Sequence, residues 1–189
     1  EEYQKLLESK EQLSYLYGRN RLGALYLLQG KFKASEGQLK QGIELAEKIG
    51  DKRWQSDFHL KLAYLYLKSG NPAKALEECD AARSGAAEME NISQQRRALN
   101  YQGLALLEVD SVDEAQKKAD ELKRLIQAGI NQKAMRYYYH LQGMIELKKD
   151  NFSKAIEYFK EAISLLPEQC DPDYMQALFI DSLASAYYK

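Results

Sequence analysis

The chain has 189 residues, 45% of them hydrophobic and 29% charged, with 27 basic against 28 acidic side chains and a formal net charge of -1. This composition is apolar enough to bury a core and excludes intrinsic disorder, while the balanced charge removes the whole-molecule field that would draw a chain onto nucleic acid or anionic lipid. No run approaches the roughly 18 apolar residues of a membrane-spanning helix, so neither a nucleic-acid nor a membrane partner is expected.

Cys79 and Cys170 lie far apart and match no metal-ligand spacing, which suits small hydrophobic roles in a reducing, cytoplasmic setting. The chain opens on Glu1-Glu2-Tyr3, with neither Met nor a basic-then-apolar leader, and is expected to be a segment of a longer protein. The three prolines, Pro72, Pro167 and Pro172, fall where helices begin or end, and no sustained alternating β-branched stretch occurs. An all-α fold is the economical expectation.

In chain order, residues 1–14 place Tyr3, Leu6, Leu7 and Leu13 on one face, as a preceding or capping helix would. Four units follow, 15–50, 51–90, 91–130 and 131–167, and residues 168–189 read as the first helix of a truncated fifth. Gly23, Ala63, Gly103 and Gly143 form a column of small residues at a spacing of 40. The breaks Gly30-Lys31, Gly70-Asn71, Asp110-Ser111 and Asp150-Asn151 keep the same step, followed by Phe32, Pro72, Val112 and Phe152. Further columns hold Ser35, Ala75, Ala115 and Ala155, then Leu39, Cys79, Ala119 and Phe159, then Gly42, Ala82, Leu122 and Ala162. Glycine inside a helix costs up to about 1 kcal/mol against alanine, so its recurrence points to helices in close contact. Asn71-Pro72 and the capping box Ser111-Val112-Asp113-Glu114 are expected helix starts, and Gly50-Asp51 and Gly129-Ile130-Asn131 read as a helix stop followed by a new cap. A further break is expected over Glu168-Gln169-Cys170-Asp171-Pro172. In the last helix Leu183-Ala184 and Tyr187 bring the small column back one residue late, at a spacing of 41.

The stretch from Tyr139 to Pro167, with the pairs in Leu22-Gly23-Ala24-Leu25-Tyr26 and Leu62-Ala63-Tyr64-Leu65-Tyr66, closely resembles the tetratricopeptide repeat family. The usual period is about 34 residues, and the longer step resembles the extended-helix variety found in signalling and regulatory proteins. Leu106, Ala119 and Glu146 depart from the pattern, the first and last standing where an aromatic is common.

The resemblance implies a right-handed α-solenoid of antiparallel helix pairs. Its concave groove, lined by the first helix of each repeat, would bind a peptide or helix of a partner protein without catalysis. Carrying the groove columns onto this sequence gives Tyr17, Asn20 and Ala24, then Asp57, Leu60 and Tyr64, then Arg97, Asn100 and Leu104, then Tyr137, His140 and Met144, flanked by Arg21, Lys61, Tyr101 and Lys148. Asn20 and Asn100 are suited to hydrogen-bond a peptide backbone, and the tyrosines offer rigid contact area. Members of the family that clamp a chaperone's terminal carboxylate present a Lys, Asn and Arg set in these columns. Asp57, Leu60 and Tyr137 occupy several of those places, so no such clamp is expected. The alternative is an intramolecular regulatory or sensor module of a larger signalling protein, or a module that self-associates through the exposed terminal repeat face around Tyr187-Tyr188-Lys189.

Other motifs carry less. The run Tyr137-Tyr138-Tyr139-His140 points in several directions around a helix and makes no single stacking platform for bases. His59 and His140 stand far apart without a metal-ligand set, Glu77-Glu78 and Asp171/Asp173 read as surface and cap residues, and no phosphate loop or nucleophile elbow occurs. No enzyme activity, cofactor or metal is expected.

Overall fold

The elements follow from one repeated turn. A computed structural model describes residues 2–7, 11–166 and 175–188, with helices α1 (Glu2–Leu6), α2 (Gln12–Leu28), α3 (Phe32–Lys48), α4 (Lys52–Lys68), α5 (Pro72–Glu88), α6 (Ile92–Glu108), α7 (Val112–Gln127), α8 (Met135–Lys148), α9 (Phe152–Ser164) and α10 (Met175–Tyr187). Among the described residues, six junctions place a residue at positive φ after the helix: Gly30, Gly50 and Gly70 at 70 to 72°, then Glu90, Asp110 and Asp150 at 52 to 60°. In each, the next amide donates to a carbonyl five residues back at 2.8–2.9 Å, as Lys31 does to Tyr26 and Ser111 to Leu106. This is the Schellman closure, which satisfies carbonyls a helix end would otherwise orphan.

Capping therefore differs from the sequence expectation. Asn71, Ser111 and Asn151 stand at helix starts without a side-chain cap bond, so the capping box expected at Ser111 does not form. Side-chain caps form at two junctions between hairpins: the expected one at Asp51, which accepts from the Trp54 amide at 3.0 Å, and one at Asn91, which accepts from that of Gln94 at 3.2 Å. At Gly129-Ile130-Asn131 there is no such cap: Asn131 leads into a 3₁₀ turn, Gln132–Ala134, before α8, and Ile130 is fully exposed. The first long helix begins at Gln12, so Leu13 belongs to α2 and is exposed rather than sharing a face with Tyr3 and Leu6. The expected breaks at Pro167 and over 168–172, with Cys170, Asp171 and Asp173, lie outside the described residues.

Consecutive helices pack pairwise, and the chain divides into two compact units, residues 1–101 and 102–189, with α6 contributing to both. In the first unit α1 lies on α2, and the hairpins α2/α3 and α4/α5 pack through α3 and α4. The small columns let the helices approach. A methyl group on Gly23 would fall 2.6 Å from Leu39, and one on Gly42 would fall 2.3 Å from the ring of the fully buried Phe58. Ser35, also fully buried, turns its hydroxyl onto the Gly23 carbonyl at 2.7 Å, a bond within the α2/α3 hairpin. Burying a side chain such as Phe58 stabilises by about 1.5–3 kcal/mol.

In the second unit α8 and α9 form a hairpin, α7 packs on α8, and α10 covers α9 and α8. Gly143 faces the Phe159 ring, 2.4 Å from where its Cβ would stand. Gly103 works differently: its missing side chain makes room for Leu141 of α8, at 2.4 Å. The expected partner in its own hairpin is Ala119, buried but too short to fill that space. Glu146, the odd member of the aromatic column, accepts from the Asn151 side chain at 2.9 Å and pairs with Lys149 at 3.9 Å. An acid here latches the turn where an aromatic would have filled the hairpin.

Candidate functional site

Residues three and four apart share one side of a helix, so the columns predicted from the sequence form stripes on α2, α4 and α6. In the first unit these stripes meet. Asp57 joins them: the Asn20 amide donates to its Oδ2 at 2.6 Å, and the Arg97 guanidinium lies 3.3 Å from Oδ1. One carboxylate thus connects three first helices. Tyr64 of α4 and Tyr101 of α6 add a tilted ring pair with centroids 5.7 Å apart. A second α4–α6 link, absent from the predicted set, runs from the Gln94 side chain to the Arg53 carbonyl at 3.2 Å.

Burial drives the Asp57 carboxyl upward, but the charges of Lys61 and Arg97 and the hydrogen bonds from Asn20 and Arg97 outweigh it, holding Asp57 below the usual carboxylate range. Asn20 is therefore engaged by a neighbour, and its amide is oriented by that bond. Asn100 and Tyr101 are fully buried, and Lys61 and Tyr64 nearly so. Tyr17 is open to solvent, 40% exposed, with the Arg21 guanidinium 4.9 Å from its ring centroid. Lys68 was not predicted, although its place one turn after Tyr64 could have suggested it; its ammonium stands 5.8 Å from the Tyr64 centroid.

The second unit uses its members of the columns to seat α10. His140 is fully buried, stacked on Phe179 at 4.4 Å, with Nε2 3.0 Å from the Ser182 hydroxyl. Because that hydroxyl donates to the Leu178 carbonyl, the ring's N–H donates to its oxygen. Tyr137 meets Phe179 edge-on at 6.4 Å and carries the Arg136 guanidinium over its ring at 4.6 Å. Met144 packs on the cluster of Ala155, Phe159 and Ala186. Lys148 pairs with Asp110 at 2.7 Å, a bond that raises its ammonium above the usual value.

The tyrosine run resolves into two parts. Tyr138 and Tyr139 do touch, at 5.5 Å, and Tyr158 of α9 stacks on Tyr139 at 6.3 Å, while Lys123 lies 5.1 Å from the Tyr138 centroid. Successive positions on a helix were expected to diverge; large rings bridge the divergence, and α9 completes the group. His59 pairs with Glu78 at 2.6 Å across the α4/α5 hairpin. Among the described residues no group of three His, Cys, Asp or Glu side chains is placed to hold a metal ion, and no helix is long and apolar enough to cross a membrane.

Residues 136–169 match the family model for the tetratricopeptide repeat. The crystal structure of BtubC (BKLC) from P. vanneervenii is similar with a TM-score of 0.70 at 17% identity, covering 99% of this chain and 78% of that one. NprR in complex with its cognate peptide NprX is similar with a TM-score of 0.70 at 17% identity, covering 99% of this chain but 56% of NprR, so the chain spans little more than half of NprR's length. No curated protein matches the chain in sequence. At this identity the likeness shows the fold, an all-α solenoid of helix pairs that carries a tetratricopeptide repeat.

Proposed function

We propose that the chain is a non-catalytic protein-interaction module of the extended tetratricopeptide variety. The row of first helices α2, α4 and α6 receives a peptide segment or helix of a partner protein on its concave side. The observation that carries this reading is the Asn20–Asp57–Arg97 tie, which holds three helices side by side and fixes their polar stripes next to the exposed Tyr17. A site held by bonds among its own side chains is preorganised, so less ordering entropy is lost when a ligand arrives. The NprR structure, similar in fold, is that of a peptide complex, which supports the same class of ligand here. Tyr17 and Arg21 form the working part of the row, with Lys61 and Arg97 holding Asp57 behind it; Tyr137, His140 and Met144 are packed against α9 and α10 and play a supporting part. A cytoplasmic regulatory protein is the setting such a module suits.

The test is selection of binders from a displayed random-peptide library, followed by titration of the winners against Tyr17→Ala and Arg21→Ala. Affinity should fall about tenfold or more in the double variant and stay unchanged in Ile130→Ser, which alters the exposed turn before α8. Winners that bind the double variant as tightly as the parent would remove the row from consideration.

A second reading, self-association, rests on the outer side of α10, where Ile180 is 57% and Tyr187 59% exposed with Ala184 between them. Light scattering over a concentration series checks it: a mass that rises with concentration and falls back in Ile180→Asp supports it, and a constant monomer mass rules it out.

A further inference from the structure

The near-neutral net charge conceals an uneven distribution. In the first unit α2 carries two lysines and arginines, α4 four, and residues 92–101 of α6 two, against one carboxylate in all three, Asp57. Their partner helices are acidic on balance, with three bases and three acids on α3 and two bases and four acids on α5. Positive charge is thus concentrated on the helices that form the row.

Asp57 is engaged by Asn20 and Arg97 and sits beside Lys61. Arg21 and Lys68 lie over the rings of Tyr17 and Tyr64. An aromatic ring attracts a cation through its quadrupole and adds no net charge, so these seats position the two cations without neutralising them. Beside them α2 presents an apolar stripe. Leu13, Tyr17 and Leu28 are 54%, 40% and 67% exposed, and they fall on the same side of the helix as Arg21 at spacings of four, four and seven.

Resting on the interaction-module reading above, we propose that the row takes an acidic amphipathic segment, whose side-chain carboxylates meet Arg21 and Lys68 while its apolar side chains lie along Leu13, Tyr17 and Leu28. A nucleic acid would satisfy the cations, but a phosphodiester backbone has no use for the leucine stripe, and the acidic partner helices lower the potential that long-range phosphate attraction needs.

The test uses two acetylated, amidated fluorescent peptides of about 15 residues, long enough to cross several helices. One alternates Glu with Leu and Ala, and the other carries Gln at every Glu position. By fluorescence anisotropy the acidic peptide should bind at least about tenfold tighter, with the advantage shrinking as salt rises from about 50 to 300 mM. Arg21→Gln and Lys68→Gln should each weaken the acidic peptide about threefold and leave the Gln peptide unchanged, while Lys33→Gln on α3 should change neither. Circular dichroism establishes that each variant is folded. Equal binding of the two peptides, both weakened by Tyr17→Ala, would overturn the charge preference and leave the interaction reading standing. Failure of both peptides to bind overturns the inference; the interaction reading falls with it only if library selection also yields nothing. Tighter binding of an oligouridylate of equal length overturns it in favour of nucleic acid.

Discussion

The two units join their first helices by different chemistry. In residues 1–101 the link is ionic: one carboxylate, Asp57, receives an amide from Asn20 and a guanidinium from Arg97. In residues 102–189 it is aromatic, with His140 stacked on Phe179 and Tyr137 edge-on to the same ring. Asp57 and Tyr137 occupy equivalent columns, as do Asn20 and His140. The columns thus specify where helices meet and leave the means of joining open. A charged link stays polar and directional, suited to a face that receives a ligand, whereas an aromatic stack excludes water and suits a helix that must stay covered.

Breaking the aromatic link should cost most. Phe179 is fully buried, and Phe179→Ala should destabilise its unit by about 3–4 kcal/mol through lost transfer energy and the cavity left beside His140. Hydrogen exchange would show it first in the amides of α10; unchanged protection there would mean that the stack is not what seats the helix.

The ionic link should respond to charge and pH. Asp57→Ala, which leaves Arg97 and Lys61 without the carboxylate between them, should destabilise by about 2–3 kcal/mol, and the isosteric Asp57→Asn by about half as much. The folded carboxyl lies below the ordinary value of 3.8, so its contribution is fully present above that value and is lost as pH falls from there through the lower value of the folded state. Denaturant melts of parent and Asp57→Asn should therefore converge in acid. A gap that stays constant from neutral pH to pH about 2 would show that Asp57 acts through shape alone.

The smallest effects sharpen the comparison by isolating packing from either link. Gly37 and Gly42 lie on the same helix, α3, but a Cβ on Gly37 meets nothing within 4 Å, whereas one on Gly42 meets the Phe58 ring at 2.3 Å. Gly37→Ala should stabilise by about 0.5–1 kcal/mol by stiffening the unfolded chain. Gly42→Ala should destabilise by about 1–2 kcal/mol despite the same gain in helix propensity. Thermal melts giving the two substitutions the same sign would contradict the close approach of α3 and α4.

The sequence made the helices legible because their signals are local. The dipeptides at Gly30, Gly70, Asp110 and Asp150 mark positions where the chain adopts left-handed backbone, and the small residues at Gly23 and Gly143 mark helix contact. What the pattern could not show was reach. Gly103 announces a close approach without saying that Leu141, rather than a residue of its own hairpin, fills the gap. The groove columns named Asn20, Asp57 and Arg97 one by one, but their convergence on one carboxylate depends on how helices 37 and 40 residues apart are set side by side. Glu146 read only as a departure from the aromatic column because its partner, Asn151, lies beyond a turn.

The junctions at Gly50 and Glu90 share the left-handed backbone conformation, and each is followed by a side chain, Asp51 or Asn91, that accepts from the amide three positions on. They are interchangeable ends. A chain spliced from Gly50 directly to Asn91, or one carrying residues 51–90 twice, would keep every local bond its joints require. Lengthening or shortening this protein is thus a matter of whole hairpins, with the row of first helices growing or shrinking one helix at a time.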